Sequence, residues 1–262
     1  MAYPLSATKL STYKQCPKAY NFKYERGLSP PSAFGSRTFG IALHRTLADI
    51  YRDWHYDRPL PSLDWFSACW RKHTGELSQA QVHEGWLALQ LYHEEFVAPL
   101  PQIRKPLGLE ANIKASFQVN NIEFSLKGRY DRLDYTDNGL ELIDYKTSKS
   151  IVPSDGIDLQ LGLYSLILDQ IYPEALEMLS LIYLRQGQKI SFDVTPEHHQ
   201  QVSELIGGMA EKLRADQEWE PEVGGHCDRC SYQKYCPAKS EEPEPLPEEA
   251  RDVREVQLVL GI

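Results

Sequence analysis

The sequence lacks any apolar run long enough to cross a bilayer. Its apolar runs, such as Leu179-Ser180-Leu181-Ile182-Tyr183-Leu184, are a fraction of the roughly 20 residues that a spanning helix needs, so no membrane association is expected. No basic stretch followed by an apolar one opens the chain at Met1-Ala2-Tyr3-Pro4-Leu5-Ser6. A secretory signal is therefore not expected, and the cytoplasm is the expected compartment. Internal repeats are absent. Glycine (16) and proline (17) are too sparse among 262 residues for a collagenous chain. With 42% hydrophobic and 25% charged residues, a wholly disordered chain is excluded as well. What remains is one large globular domain or two small ones, with material for a buried core.

Positive charge is also in short supply. Lys and Arg number 28 against 37 Asp and Glu, a net charge of −9, which argues at first sight against a polyanionic partner. The charge is unevenly spread. Residues 1–45 hold Lys9, Lys14, Lys18, Lys23, Arg26, Arg37 and Arg45 against the single acid Glu25, whereas residues 241–262 hold seven acids and two arginines. A basic N-terminal segment on an acidic body can form a local phosphate-binding face, or simply a solvated helix surface.

Periodicity divides the chain. Residues 5–28 read as helix, split by Pro17. Further helical patterns cover 38–54, 63–73 and 79–97. Alternation then predicts strands over 109–119, 122–135 and 140–145, with turns at Asn120-Asn121 and Asp137-Asn138-Gly139. A helix is expected over 156–171, strands over 178–184 and 189–194, and a helix from the Thr195 cap, with Pro196 in its first turn, to about Leu213. This order predicts an α/β sandwich built on a mixed β-sheet flanked by helices, with an N-terminal helical region. Residues 240–250 are acidic and proline-rich, as expected of a disordered tail.

The chemistry concentrates in Gly128-Arg129-Tyr130-Asp131-Arg132-Leu133-Asp134 and Leu142-Ile143-Asp144-Tyr145-Lys146-Thr147. Hairpin pairing can bring Asp131 and Asp144 together, and adjacent carboxylates repel unless they share a cation. Such hard oxygen ligands suit Mg²⁺ or Mn²⁺. Lys146, two residues beyond Asp144, projects from the same strand face, where an ammonium can position or activate water. Taken alone, Asp-x-Lys is a weak signal that solvated strand charges would also produce. Asp134 is a second candidate acid. Glu110, at the start of the first strand, is a candidate for a metal or supporting role. Trp54, Trp65, Trp70 and Tyr92 could stack bases or, more simply, fill the core.

Five cysteines are present. Cys227, Cys230 and Cys236-Pro237 are tightly spaced, while Cys16-Pro17 lies far upstream. In a cytoplasmic chain this spacing suggests a metal rather than disulfides, and spacing alone does not choose zinc or iron–sulfur. Cys69 has no ligand-spaced neighbour and reads as a small buried apolar residue.

In their order, these segments resemble the PD-(D/E)XK nuclease superfamily, specifically its RecB-like branch. Asp131 matches the family's upstream acid and Asp144-Tyr145-Lys146 its Asp-x-Lys. His44 in Phe39-Gly40-Ile41-Ala42-Leu43-His44 matches its helical histidine, and Gln160-Leu161-Gly162-Leu163-Tyr164 its Gln-x-x-x-Tyr. Leu5-Ser6-Ala7-Thr8-Lys9-Leu10 with Cys16-Pro17 is similar too, so the likeness spans about residues 5–237.

The resemblance implies a restriction-endonuclease-like α/β core and a Mg²⁺- or Mn²⁺-dependent phosphodiesterase acting on DNA, either single strands or ends. It assigns the metal to His44, Asp131, Asp144 and the Tyr145 carbonyl, chemistry at the water to Lys146, and to Gln160 and Tyr164 a place in the catalytic set, positioning DNA or orienting the lysine, where ordinary helix packing is the alternative. It also implies a 4Fe–4S cluster on Cys16, Cys227, Cys230 and Cys236, as in AddB-type and CRISPR-associated exonucleases. The corresponding division is a nuclease domain over 1–237 (helical region 1–100, catalytic core 101–215, cysteine segment 216–237 closing onto Cys16) and a tail over 238–262. Readings to weigh against a repair or recombination nuclease are a CRISPR-adaptation-type nuclease, an RNase, and a non-catalytic DNA-binding scaffold. With no helicase motif in the chain, a helicase or repair partner would have to supply any motor. Finally, Gln257, Leu258, Leu260 and Ile262 are similar to peptides that bind the bacterial sliding clamp, although Gly261-Ile262 departs from the usual aromatic ending. A tail strand folding back on the sheet is the alternative.

Overall fold

The first helix does not begin at Leu5. In a computed structural model, which describes residues 3–28, 36–119, 122–151, 158–172 and 175–250, strand β1 (Tyr3–Leu5) precedes it. Three residues carry no periodicity of their own. They are held extended by parallel pairing with the long strand β3 (Ile122–Tyr135), Leu5 opposite Leu126. Ser6 then caps helix α1 (Ala7–Gln15), its hydroxyl accepting the Lys9 N–H. Pro17 does divide the segment, starting helix α2 (Pro17–Tyr20), which continues as a π-helical turn over Asn21–Glu25. Helices α3 (Ser36–Arg52), α4 (Leu63–Arg71) and α5 (Gln79–Phe96) follow.

Strands β2 (Gly108–Val119), β3, β4 (Leu140–Lys146), β5 (Leu176–Tyr183) and β6 (Gln188–Asp193) complete one six-stranded sheet. Helix α6 (Leu159–Ile171), capped by Asp158, joins β4 to β5 as a crossover, so those two strands run parallel while the hairpins are antiparallel. The mixed sheet flanked by helices is as expected. Helix α7 (Pro196–Ala215) closes the core.

Two apolar layers sandwich the sheet. Leu10 of α1, Leu163 and Ile167 of α6, and Val202 and Ile206 of α7 pack with Phe124, Leu126 and Leu142 on one face. On the other, Leu43 and Leu47 of α3, Phe66 of α4 and Leu89 of α5 pack with Ile143, Tyr145 and Ile182. Trp54, Trp70 and Tyr92 are buried in this second layer, and the Trp65 indole donates to the Ile50 carbonyl, so packing claims the aromatics considered for base stacking. Cys69 is fully buried there, as expected.

The acidic stretch expected to be disordered lies against the body as far as Ala250. Lys234 pairs with Glu244, and Leu246 and Ala250 pack beside Phe22 and Tyr232. The apolar peptide at Gln257, Leu258, Leu260 and Ile262 lies outside the described residues. No helix among the described residues is long and apolar enough to cross a membrane.

Candidate active site

The site occupies a gap in the sheet. One edge of β3 pairs with β2 along almost its whole length, while the other pairs with β1 at 124–126 and with β4 only from Arg132 onward. Residues 127–131 therefore have no strand on that side. By continuation of the two registers, Asp131 stands opposite Glu110 on β2 and opposite Asp144 on β4, three carboxylates in a row across three strands.

Face alternation breaks at this level. Leu109 and Arg132 face the α3–α5 layer, yet Ala111 and Tyr130, two residues away, face α6. Glu110 is the pivot on β2, with φ at +48°, a left-handed backbone that a side chain adopts only at a cost.

Side chains fill the hydrogen bonds that a neighbouring strand would have made. Asp131 Oδ2 accepts the Tyr145 N–H at 2.7 Å, and the Tyr164 hydroxyl accepts the Arg129 N–H. Tyr164 reaches that edge because residue 128 is glycine; a Cβ there would collide with the Tyr164 ring. Gly128→Ala is expected to destabilise the fold by about 1–3 kcal/mol, the usual range for overpacking, and to displace Tyr164. Thermal unfolding checks it, and an unchanged melting point would show that the ring moves freely.

His44, from α3, meets this edge. Its Nδ1 lies 2.9 Å from Asp131 Oδ1 and 3.8 Å from Glu110 Oε1. Burial alone would depress the imidazole pKa, but the Asp131 hydrogen bond and the surrounding carboxylates raise it. His44, Glu110 and Asp131 each offer a ligand atom within 4.8 Å of the others, so the residue weighed as a supporting acid, Glu110, stands in the closest group.

Asp144 is almost fully buried and turned to other partners. Lys146 Nζ lies 2.8 Å from its Oδ2, and Gln160 Nε2 donates to its Oδ1 at 2.6 Å. Gln160 also accepts from Lys146 at 3.2 Å and donates to Tyr164 at 3.2 Å. Burial and the Asp131 charge push the Asp144 carboxyl up, and burial and Asp131 push up Glu110 likewise. Burial disfavours the Lys146 ammonium, but Asp144 and Asp158 more than reverse this and hold it charged.

The donor set therefore fits a hard divalent cation. Two carboxylates and an imidazole converge with the Asp144 carboxyl close by, and Glu110 and Asp144 are held above their ordinary range by burial and the Asp131 charge, which a cation would relieve.

Asp134, the second candidate acid, is elsewhere, paired with Arg132 at 3.0 Å. Sequence reasoning missed Arg132. Buried against the Tyr51 ring, it donates to Tyr145 and Tyr92 at 2.8 and 2.7 Å and so anchors the strand between Asp144 and Lys146. Its only sequence signal is an arginine between two acids in a strand otherwise headed for the core.

The four cysteines expected to act together do meet. Cys16, Cys227, Cys230 and Cys236 line one small cavity, together with Phe22 and Tyr232. None is in a disulfide.

The chain belongs to the PD-(D/E)XK nuclease superfamily, whose family model matches residues 4–237. Members of this family are metal-dependent phosphodiesterases, and the His44–Glu110–Asp131 group provides a place for the ion. Among solved structures, a candidate exonuclease from Eubacterium rectale is similar in fold, with a TM-score of 0.50 at 13% identity over 99% of this chain and 94% of that one. The protein SSO0001 is also similar, with a TM-score of 0.47 at 16% identity over 92% of this chain and 88% of that one. No curated protein matches the chain significantly.

Proposed function

We propose that the chain is a metal-dependent deoxyribonuclease of the RecB-like branch, an exonuclease acting on single-stranded DNA or DNA ends in repair or recombination. The observation that carries this is the hydrogen-bonded Asp144–Lys146–Gln160 trio, with Asp144 buried, beside His44, Glu110 and Asp131. The likeness in fold to a candidate exonuclease agrees with it.

His44, Asp131 and Asp144, with the Tyr145 carbonyl, would hold the divalent ion, and Glu110 is placed to join them. When bound, such an ion neutralises phosphate charge and makes water more acidic. Lys146, kept protonated by Asp144, donates to the scissile phosphate and orients the water that attacks phosphorus. As the new P–O bond forms, the bond to the leaving sugar oxygen breaks, the attacking water giving its proton to solvent and the leaving oxygen taking one up from it. Gln160 holds both Lys146 and Asp144 in register, and Tyr164 steadies Gln160. Arg132 positions these groups through Tyr145, touching no reacting atom.

The cysteine cavity we assign to a 4Fe–4S cluster. The four thiols line one cavity whichever group fills it, and it is the resemblance to iron–sulfur nucleases that chooses the larger cluster.

End-labelled digestion of single- and double-stranded DNA tests the reading. Cleavage is expected with Mg²⁺ or Mn²⁺ and none with EDTA. Cleavage that persists in EDTA, or none with either metal, would overturn it.

A further inference from the structure

Among the described residues, the two helical layers leave one region of the sheet open. Helices α3–α5 cover β4, β5 and the site end of β3, but on the outer β2–β3 hairpin only the opposite face, that of Ile113, Leu126 and Gly128, is covered. On the open face Lys114 lies directly opposite Lys127, and Asn112 opposite Arg129, all four exposed. Like charges facing each other across a ladder destabilise it. Among the described residues, neither lysine has an ion-pair partner, and Lys9 of α1, which donates to the Pro4 carbonyl and feels the Glu25 charge, stands near enough to Lys127 to be repelled by it. Ser125, two residues before Lys127 on the same face, is nine-tenths buried, and its hydroxyl has no partner.

A body of net charge −9 thus carries, on one open strip of sheet, two facing lysines with no ion-pair partner among the described residues, and Lys9 of α1 stands beside them. The strip leads to the site. Lys127 is four residues before Asp131, about 13 Å along the strand, with Arg129 between them.

Building on the nuclease reading, we infer that the open face of the β2–β3 hairpin is the substrate track, on which Lys114, Lys127 and Lys9 bind the phosphodiester backbone of the nucleic acid and lead it to Asp131. The basic N-terminal segment then contributes mainly through Lys9, and the hairpin supplies the rest. Phosphate contacts of this kind give affinity and register without sequence preference.

The test is fluorescence anisotropy of a labelled 20-mer, single-stranded in one arm and blunt duplex in the other, in EDTA across a salt series. The double variant Lys114→Gln/Lys127→Gln is expected to bind at least ~10-fold more weakly at low salt. Its log-affinity against log-salt slope should be shallower by about two, one per lysine removed. Lys114→Arg/Lys127→Arg should restore both, and Lys212→Gln on α7 should change neither. In metal, cleavage by the glutamine variant should fall further on the 20-mer than on a dinucleotide, which is too short to reach Lys127.

The arm that shows the loss identifies the strand state the track accepts. Wild-type affinity and slope in the glutamine variant, in both arms, would overturn the inference. A wild type that binds with the expected slope but cuts nothing in Mg²⁺ or Mn²⁺ would overturn the nuclease reading and leave the track standing.

Discussion

Lys146→Ala is expected to lose at least ~100-fold in metal-dependent DNA cleavage, the scale at which positioned proton and charge chemistry contributes. The same loss is expected of Asp144→Ala, and the double variant should lose little more than either, because Asp144, Lys146 and Gln160 are mutually hydrogen-bonded and act as a unit. Quantified digestion of an end-labelled strand against wild type at saturating Mg²⁺ checks this. Wild-type activity in Lys146→Ala would place the chemistry elsewhere.

The variant carries a second signature, in stability. Without the ammonium, the buried Asp144 carboxylate keeps only the Gln160 hydrogen bond and the weaker pull of His44, and its folded-state pKa, already raised, rises further. An acid whose pKa is higher folded than unfolded binds more protons in the folded state between the two values. Stability therefore falls as pH rises through that window and recovers on acidification. Lys146→Ala is thus expected to melt below wild type at neutral pH and to close the gap towards pH 5. A melting difference that does not vary with pH would mean that Asp144 finds another cation.

The features of this site that follow a local rule are legible in the chain. Asp144 and Lys146 share a strand face because strands alternate, and His44 points out of α3 because Phe39, Leu43 and Leu47 claim the buried stripe. The turn between β3 and β4 announces itself at Asp137-Asn138-Gly139, and Asp131 falls opposite Asp144 by counting back from it.

What depends on tertiary partners is not legible. Strand β1 is three residues long and exists only because β3 offers an edge. The break in alternation at Glu110 and Asp131 brings the first-strand acid against His44, although the sequence on either side alternates as though nothing happened. Gly128 reads as a weak strand residue until Tyr164 is seen lying on it. Tryptophans that could face DNA turn out to fill the α3–α5 layer, since nothing in their spacing separates a base-stacking surface from a core. The bare hairpin face is hidden for the converse reason. Net charge and the basic N-terminus point to residues 1–45, while Lys114 and Lys127 are far apart in number and meet only through the register of β2 with β3.

With the 4Fe–4S cluster we propose, Cys16→Ala is expected to abolish brown absorbance together with much of the stability. Cys16 stands at the junction of α1 and α2, and its three partners lie beyond α7, so a cluster on all four closes a loop that contains nearly the whole domain. Cross-linking a loop of 100 residues or more withholds on the order of 5 kcal/mol of chain entropy from the unfolded state, and ligand binding to the folded form alone adds to folding free energy directly. The protein contacts across the same junction are Phe22 against Tyr232 and Tyr235, Trp219 against Tyr13 and Tyr20, the Tyr13 hydroxyl on Asp216, the Tyr232 hydroxyl on the Leu28 carbonyl, and Lys18 on the Glu218 carbonyl. They should not hold the ends together alone, so the loss should appear first as fraying of residues 216–250, seen as early hydrogen exchange, and then as a lowered melting point. Cys69→Ala is the control. It empties a little space in the α3–α5 layer, costs about 1 kcal/mol, and leaves iron, sulfide and colour unchanged. A Cys16→Ala protein that retains full iron and sulfide and melts with wild type would remove Cys16 from the cluster. Stoichiometric zinc with no iron, in protein purified without oxygen, would replace the cluster by a single ion.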